Sequence, residues 1–495
     1  MLGRTGSGLC RFELQWRCHS FSPPPDSRLR YPECSGRRYR AGPGAGPMTP
    51  AQVSGVLKAN EYSHTPPRGP ASHGVLGFHS NMLPSNHPGE DRRSSATCLP
   101  DRGALFGVFD GHAGASCAHA VSQRLFYYIT VATMPLRTLA ELERAVDEER
   151  PIPPLLEWHK HLRDHGRPDR GTSLLSLRRF WMQRLQDGHE EDRMTSALVN
   201  AFIRLDNDLS EEARVHLSSS PHRLASSPSS PLRVALSGCT ACVVHVSGGV
   251  LHVANLGDSR AVLGVQEVDG RWAALSLTND HNAQNPDELQ RILGEHPPSE
   301  RRTVVRHDRL LGQLLPFRAF GDVRFKWSAD TLSRVYETHP EVLTALGEAV
   351  RTPPPHYLSP PYLSAQPEIT RHQITSADKF LVLATDGLWE LMHRQTVVQL
   401  VGEQLTGLQQ QRPVVRGMAM TLGALQRLLL ERRGRVLSVL EDQNAATHLL
   451  RHALGDDGYG AVAPNRLARM LSLPAELARR YRDDITITVI HLNDL

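Results

Sequence analysis

Cysteine is scarce in this chain: there are seven in 495 residues, and three of them, Cys10, Cys18 and Cys34, fall near the N-terminus. That leaves Cys98, Cys117, Cys239 and Cys242, too few to staple a chain of this size. A disulfide framework is therefore excluded, and a reducing compartment is the default. Aromatic residues are only 6% of the chain, and the formal charge of +4 is small for the length and partly N-terminal. A nucleic-acid groove, which wants a basic block with exposed aromatics, is not expected. No apolar run approaches the ~18 residues that a membrane-spanning helix needs. No internal repeat is present.

Lysine is missing at the N-terminus, and acids are few. Between Met1 and Arg40 stand eight arginines, no lysine, and only Glu13, Asp26 and Glu33 as acids. An Arg-rich, Ser-containing, acid-poor stretch without a long apolar core has the composition of an organelle transit peptide rather than of a secretory signal. A disordered basic tail or a misassigned start is the plainer alternative. The expectation is a mitochondrial presequence over residues 1–47, ending in the Gly/Pro patch Ala41 to Pro47, and one domain over 48–495.

Apolar runs bounded by turn signals predict strands at Gly74 to Phe78, Ser95 to Leu99, Ala104 to Phe109, Ala235 to Val246, Val250 to Asn255, Ala261 to Val265, Trp272 to Leu277, Phe380 to Thr385 and Ile485 to His491. Helical spacing predicts helices within Gln52 to Tyr62, Ala115 to Tyr128, Glu141 to Glu148, Arg193 to Glu212, Pro286 to Leu293, Thr396 to Leu405, Leu422 to Glu431 and Asn444 to Leu454. The clearest stripe is Leu198, Phe202, Leu205 and Leu209. Residues from about 135 to 231 read as an insertion containing a Ser/Pro-rich loop over Ser218 to Pro231. A second insertion is placed at about 330–366, where the Pro-rich stretch Thr352 to Pro367 reads as a surface loop. Strands in quick succession, with helices grouped around them, suggest an α+β layered domain rather than alternating βαβ units.

Chemistry concentrates at predicted strand ends. Asp110-Gly111-His112 closes the run Ala104 to Phe109 and places a carboxylate, a bare carbonyl and an imidazole at one strand mouth. Glu90-Asp91, Asp258, Asp386 with Glu390, and Asp483-Asp484 stand beside other strands. Hard oxygen ligands of this kind suit magnesium or manganese, not zinc. Gathered in one pocket they would repel one another unless cations neutralised them. Any one of them alone reads as a solvated loop acid or turn-former.

Taken together and in this order, these motifs resemble the metal-dependent protein phosphatase family, the PPM or PP2C-like serine/threonine phosphatases. Glu90 to Ser94, Phe109 to Gly114, Leu251 to Asn255, Arg318 to Asp322 and Tyr481 to Asp484 carry the likeness. Trp158-His159-Lys160-His161 and Asp442 to His448 lie outside the general pattern, and resemble the mitochondrial members that act on the pyruvate dehydrogenase complex. The resemblance implies a four-layer α-β-β-α sandwich of two antiparallel sheets flanked by helices. It implies that Asp110 bridges two catalytic Mg²⁺ or Mn²⁺ ions and that the Gly111 carbonyl serves the second. Asp386 and Asp483 would complete the first ion's ligands, and Glu90 would hold a water on the second. Asp258 and Glu390, with Asp386, match a third, weaker position, although Asp is commoner where Glu390 stands. His112 is the candidate acid for the leaving alkoxide. Many members carry an Arg four residues before the Glu of the Glu-Asp pair. This chain has Asn86 there, an amide that can bind phosphate but brings no charge.

For function, the resemblance implies a phosphoserine phosphatase of the mitochondrial matrix that switches the pyruvate dehydrogenase complex on by acting on its E1 α subunit. Docking to the E2 lipoyl domain, assisted by Ca²⁺, and a regulatory subunit are further implied partners. The competing reading is a catalytically silent relative that binds phosphoprotein without hydrolysing it. A metal-dependent nuclease shares the chemistry but lacks its basic groove. Other signals have plainer readings. Cys239 and Cys242 run into a strand pattern with no second pair, which favours buried thiols over zinc. His448 with His452, and His159, His161 and His165, read as packing residues. Arg260 and Arg318 read as loop pins paired with carboxylates.

Overall fold

The structure is a computed structural model. It describes residues 48–66, 74–164, 172–188, 194–219, 230–346, 352–406, 442–457 and 461–492, with isolated positions at 350, 421, 423 and 426. The expected presequence, residues 220–229 of the Ser/Pro-rich loop, nearly all of the helix expected over Leu422 to Glu431, and His165 lie outside the described residues.

Two six-stranded sheets form the centre. From edge to edge the first runs Tyr62–His64, Val75–Leu83, Ile485–Leu492, Asp378–Ala384, Arg260–Gln266 and Trp272–Ser276. The second runs Glu368–Gln373, Val250–Leu256, Ala241–Ser247, Ala104–Phe109, Arg92–Cys98 and Leu156–Trp158. Every pairing in both is antiparallel. Their facing sides share one apolar cluster that includes Phe78, Phe106, Val244, Leu381 and Ile490. The first sheet's outer side packs against the helices Pro50–Lys58, Arg394–Thr406 and Ala445–Gly455. The second sheet's outer side packs against Ser116–Thr133 and Met194–Ser219. The layered α+β arrangement is the one the strand and helix pattern predicts, and the four layers are those the resemblance implies.

This layering explains why two strands read as unbroken apolar runs. In Ala104–Phe109, Phe106 and Val108 point between the sheets while Leu105 and Phe109 point to the helices. In Asp378–Ala384, Leu381 and Leu383 point inward while Phe380 and Val382 point outward. A strand covered on both faces has no polar side to alternate with.

The segment 135–231 completes a layer rather than decorating it. Leu136–Asp147, Thr172–Asp187 and Met194–Ser219 are helices, and Leu198, Phe202, Leu205 and Leu209 are all buried against the core. Phe202 stacks on Phe320 with centroids 5.2 Å apart. The Asp206 carboxylate accepts from the Gly321 amide at 2.8 Å and from Lys326 Nζ at 2.8 Å.

Three expectations are corrected. The strand predicted over Ala235 to Val246 is a short helix Pro231–Leu236, a two-residue strand Gly238–Cys239, a break at Thr240, and a strand Ala241–Ser247. The break exists because Thr240 donates its amide to the Asp110 carbonyl at 2.9 Å, while Gly238–Cys239 pairs with Gly111–His112 and Phe320–Gly321 in a small separate sheet. The helix predicted within Gln52 to Tyr62 ends at Lys58, and Tyr62 begins an edge strand. The Pro-rich loop is not simply at the surface: Tyr362 is buried, and its hydroxyl accepts from the Leu358 and Ser359 amides at 2.9 Å each.

The cysteine and arginine readings stand. Cys98, Cys117, Cys239 and Cys242 are free, buried thiols. Arg260 pairs with both oxygens of Asp280 at 2.8 Å, and Arg318 with both of Glu288 at 2.9 and 2.7 Å.

Truncation at Phe202 tests whether the inserted helix belongs to the core. Phe202→Ala is expected to cost about 3–5 kcal/mol in urea denaturation, the range for a buried Phe. A loss confined to a few tenths would mean the segment is an appendage. Acid supplies a second test. Although burial opposes it, pairing with Arg318 and Arg291 holds the Glu288 carboxyl down at about 2. A depressed carboxyl contributes stability that is complete above its unfolded value and is lost as pH falls through the folded one. The melting-temperature gap between the wild type and Glu288→Gln should therefore shrink from about pH 6 to about pH 3; a constant gap would contradict the pairing.

Candidate functional site

The expected acids arrive at one place because the antiparallel strands of both sheets end there. Asp110 follows Ala104–Phe109, Asp258 follows Val250–Leu256, Asp386 follows Asp378–Ala384, and Asp483 precedes Ile485–Leu492. Glycines let the segments close on one another. A Cβ at Gly111 would lie 2.7 Å from the Glu90 carbonyl oxygen, and one at Gly387 would lie 2.1 Å from the Asp484 carbonyl oxygen. Gly257 takes φ +112, a left-handed turn open to glycine, and donates its amide to His281 Nδ1 at 3.0 Å.

Carboxylate oxygens of Asp110, Asp258 and Asp386 lie within 4.8 Å of one another. Asp483, Glu90 and Glu390 surround them electrostatically rather than joining that trio. Burial, then the charge of Glu390, pushes Asp386 up to about 6, against the pull of Arg479. Burial, then Asp386, pushes Asp483 up to about 7, again against Arg479. Burial raises Asp110, Asp258 and Glu90 well above the usual carboxylate range, and neighbouring carboxylates add to each. Like charges this close and this dry do not coexist ionised without cations.

Two buried acids behind the pocket act as pillars. Asp484 accepts backbone N–H groups from Ser85, from Asn86 at 2.9 Å, from Glu90 at 2.5 Å and from Asp91 at 3.3 Å, so it ties the whole 85–91 loop to the last strand. Asp91 accepts the hydroxyls of Thr385 and Thr486 at 2.7 Å each. Asn86 is buried, and its Nδ2 has no hydrogen-bond partner. Glu390 is exposed at the rim, where it caps the short helix Asp386–Trp389.

His112 is buried, and its Nε2 meets Asp322 Oδ2 at 2.5 Å. The two approach through the small sheet: a Cβ at Gly238 would fall 2.0 Å from His112 Nε2 and 2.1 Å from Asp322 Oδ2. Asp322, Asp484 and Arg479 are the neighbours that sequence reasoning left without a role. Asp322 and Asp484 lie inside the motifs that carry the family likeness, but their direction was not readable. Arg479, which pairs with Asp483 at 2.5 Å, gave no signal beyond standing four residues before it.

Of the comparisons with known proteins, the mitochondrial pyruvate dehydrogenase phosphatase 1 of Homo sapiens is 52% identical over 99% of this chain and 95% of its own length. The chain belongs to the protein phosphatase 2C family. The Bos taurus phosphatase 1 is 54% identical over 96% of this chain and 88% of its own length, and the human pyruvate dehydrogenase phosphatase 2 is 44% identical over 98% and 92%. The protein phosphatase 2C profile matches residues 185–420, which hold Asp258, Asp386 and Glu390. Phosphatases of this family depend on Mg²⁺ or Mn²⁺, and the pocket fits such ions. Asp386 Oδ1 and Glu90 Oε1 are buried oxygens with no hydrogen-bond partner, and the donors gathered around them are hard oxygens.

Gly238→Ala should wedge His112 from Asp322. Expected is a fall in turnover of about ten-fold or more, with global stability lowered only by about the 1–3 kcal/mol of an overpacked site. Turnover at the wild-type level would show that the pair is incidental.

Proposed function

We propose that this chain is a mitochondrial, Mg²⁺- or Mn²⁺-dependent protein serine/threonine phosphatase that removes phosphate from the E1 α subunit of the pyruvate dehydrogenase complex and so activates it. The observation that carries the chemistry is the buried carboxylate cluster with unpartnered oxygens at the converging strand ends. The substrate assignment is supported by near full-length similarity to curated pyruvate dehydrogenase phosphatases. The silent alternative is disfavoured because every position that would hold a cation keeps its acid.

In this reading Asp110, Asp386 and Asp483 would hold one cation, and Asp110, the Gly111 carbonyl and Glu90 would hold the other. Asp258, Asp386 and Glu390 would provide a third, weaker position. When bound, such ions acidify water toward neutrality and offset charge on phosphoryl oxygens. The residues do the rest. Water attacks phosphorus in line with the departing Ser or Thr oxygen, and the phosphorus–oxygen bond breaks without a covalent enzyme intermediate. His112 has Nε2 engaged by Asp322, so as an imidazolium paired with that carboxylate it would give its Nδ1 proton to the leaving oxygen, while the attacking water releases a proton to solvent, from which the ring is reprotonated. Asn86 offers its amide to the phosphoryl group. Docking to the E2 lipoyl domain with the help of Ca²⁺, association with a regulatory subunit and residence in the matrix belong to the same proposal, supported by the likeness alone.

The test is dephosphorylation of the intact phosphorylated complex by the purified chain, with metal and Ca²⁺ varied. Activity should require Mg²⁺ or Mn²⁺, vanish on chelation and vanish in Asp110→Ala. His112→Ala should lose about 10²- to 10⁴-fold in kcat. Hydrolysis that survives both chelation and Asp110→Ala would refute the assignment.

A further inference from the structure

A pocket of clustered carboxylates repels the dianion it is meant to receive. The bound cations answer part of that repulsion, and the placement of one side chain answers more. Arg479 caps the short helix Ala475–Ala478 and turns into the pocket, where its Nη1 pairs with Asp483 Oδ2 at 2.5 Å. Its charge also acts on Glu90, Asp386 and Asp110. Other cations also lie near these acids, and the charge of Arg260 acts on Asp258 and Asp386. Arg92 donates to the carbonyls of Gly89 and Asp91 at 2.9 and 2.6 Å, Arg482 to that of Pro84 at 2.8 Å, and Arg260 is bidentate on Asp280. Arg479 has a pocket acid, Asp483, as its ion-pair partner.

A second, independent observation lies across the loop. Asn86 is buried and its Nδ2 has no hydrogen-bond partner. A buried amide donor left without an acceptor is costly, and an arriving oxyanion would satisfy it. The two groups share one scaffold: the Asn86 backbone amide is held by Asp484 at 2.9 Å, and Asp484 adjoins the Asp483 that pairs with Arg479.

We propose that Arg479 and Asn86 together form the phosphoryl clamp of this enzyme, with Arg479 supplying the charge and Asn86 a neutral donor. The guanidinium's planar fork of N–H donors can serve a carboxylate and an oxyanion at once. A cation bound by Asp483 would weaken that carboxylate's hold on the guanidinium and would leave the fork able to turn toward the phosphoryl oxygens. The inference rests on the phosphatase reading and assigns its substrate-gripping residues.

The experiment is calorimetric titration of inorganic phosphate into the full chain at saturating Mg²⁺, for the wild type, Arg479→Ala, Arg479→Lys and Asn86→Ala. Separate Mn²⁺ titrations are run without phosphate. Arg479→Ala should weaken phosphate about ten-fold or more, the loss expected for a charged hydrogen bond. Arg479→Lys should recover part of it, Asn86→Ala should lose less, and Mn²⁺ affinity should hold in all. KM for a phosphoserine peptide should rise in step with the phosphate constant. Unchanged phosphate affinity in Arg479→Ala, or a loss of Mn²⁺ affinity that accounts for the whole effect, would overturn the clamp and reduce Arg479 to a support for Asp483. If Arg479→Ala does not fold, Arg479→Lys decides, since phosphate binding identical to the wild type would also overturn it. A wild type that hydrolyses no p-nitrophenyl phosphate with either metal sinks the phosphatase reading instead, whatever the clamp variants do.

Discussion

The mutual repulsion of buried carboxylates governs this structure. Asp110, Asp258 and Asp386 bring oxygens within 4.8 Å of one another in a place too dry to screen them. Folding alone gains nothing from such an arrangement, because each acid surrenders its hydration and meets its own kind. The rest of the molecule reads as the means of enforcing it. Two sheets covered on both faces give strand ends that do not move apart, and glycines at 111, 238 and 387 let backbone come closer than any side chain would permit.

The acids divide their labour. Asp484 and Asp91 lie beside the cluster and are satisfied by backbone amides and by threonine hydroxyls. Asp386 and Glu90 keep oxygens without any protein partner. Within one small region, the first group is committed to architecture and the second keeps oxygens open to a ligand. Asp322 stands between these roles, since it holds an imidazole rather than an ion or a loop.

Much of this was legible in the chain. The unbroken apolar runs before Asp110 and Asp386 reported strands buried on both faces, and the stripe at Leu198 and Phe202 reported a packed helix. The list of acids was readable because each followed or preceded such a run. What escaped was direction. Adjacent acids in a pair point opposite ways, so Asp483 could be told from Asp484 only by resemblance. The break at Thr240 escaped because it arises from a tertiary hydrogen bond to the Asp110 carbonyl that no local pattern encodes. Arg479 escaped because a lone arginine in a polar stretch resembles any surface cation.

The long helix Met194–Ser219 reaches further than its packing suggests. Through Phe202 it rests on Phe320, and through Asp206 it grips Lys326 and the amide of Gly321, the residue before the aspartate that steadies His112. The segment spliced between the core elements has thus become a strut behind His112. A version of this enzyme lacking Met194–Ser219 would keep its acids and lose the brace behind its imidazole.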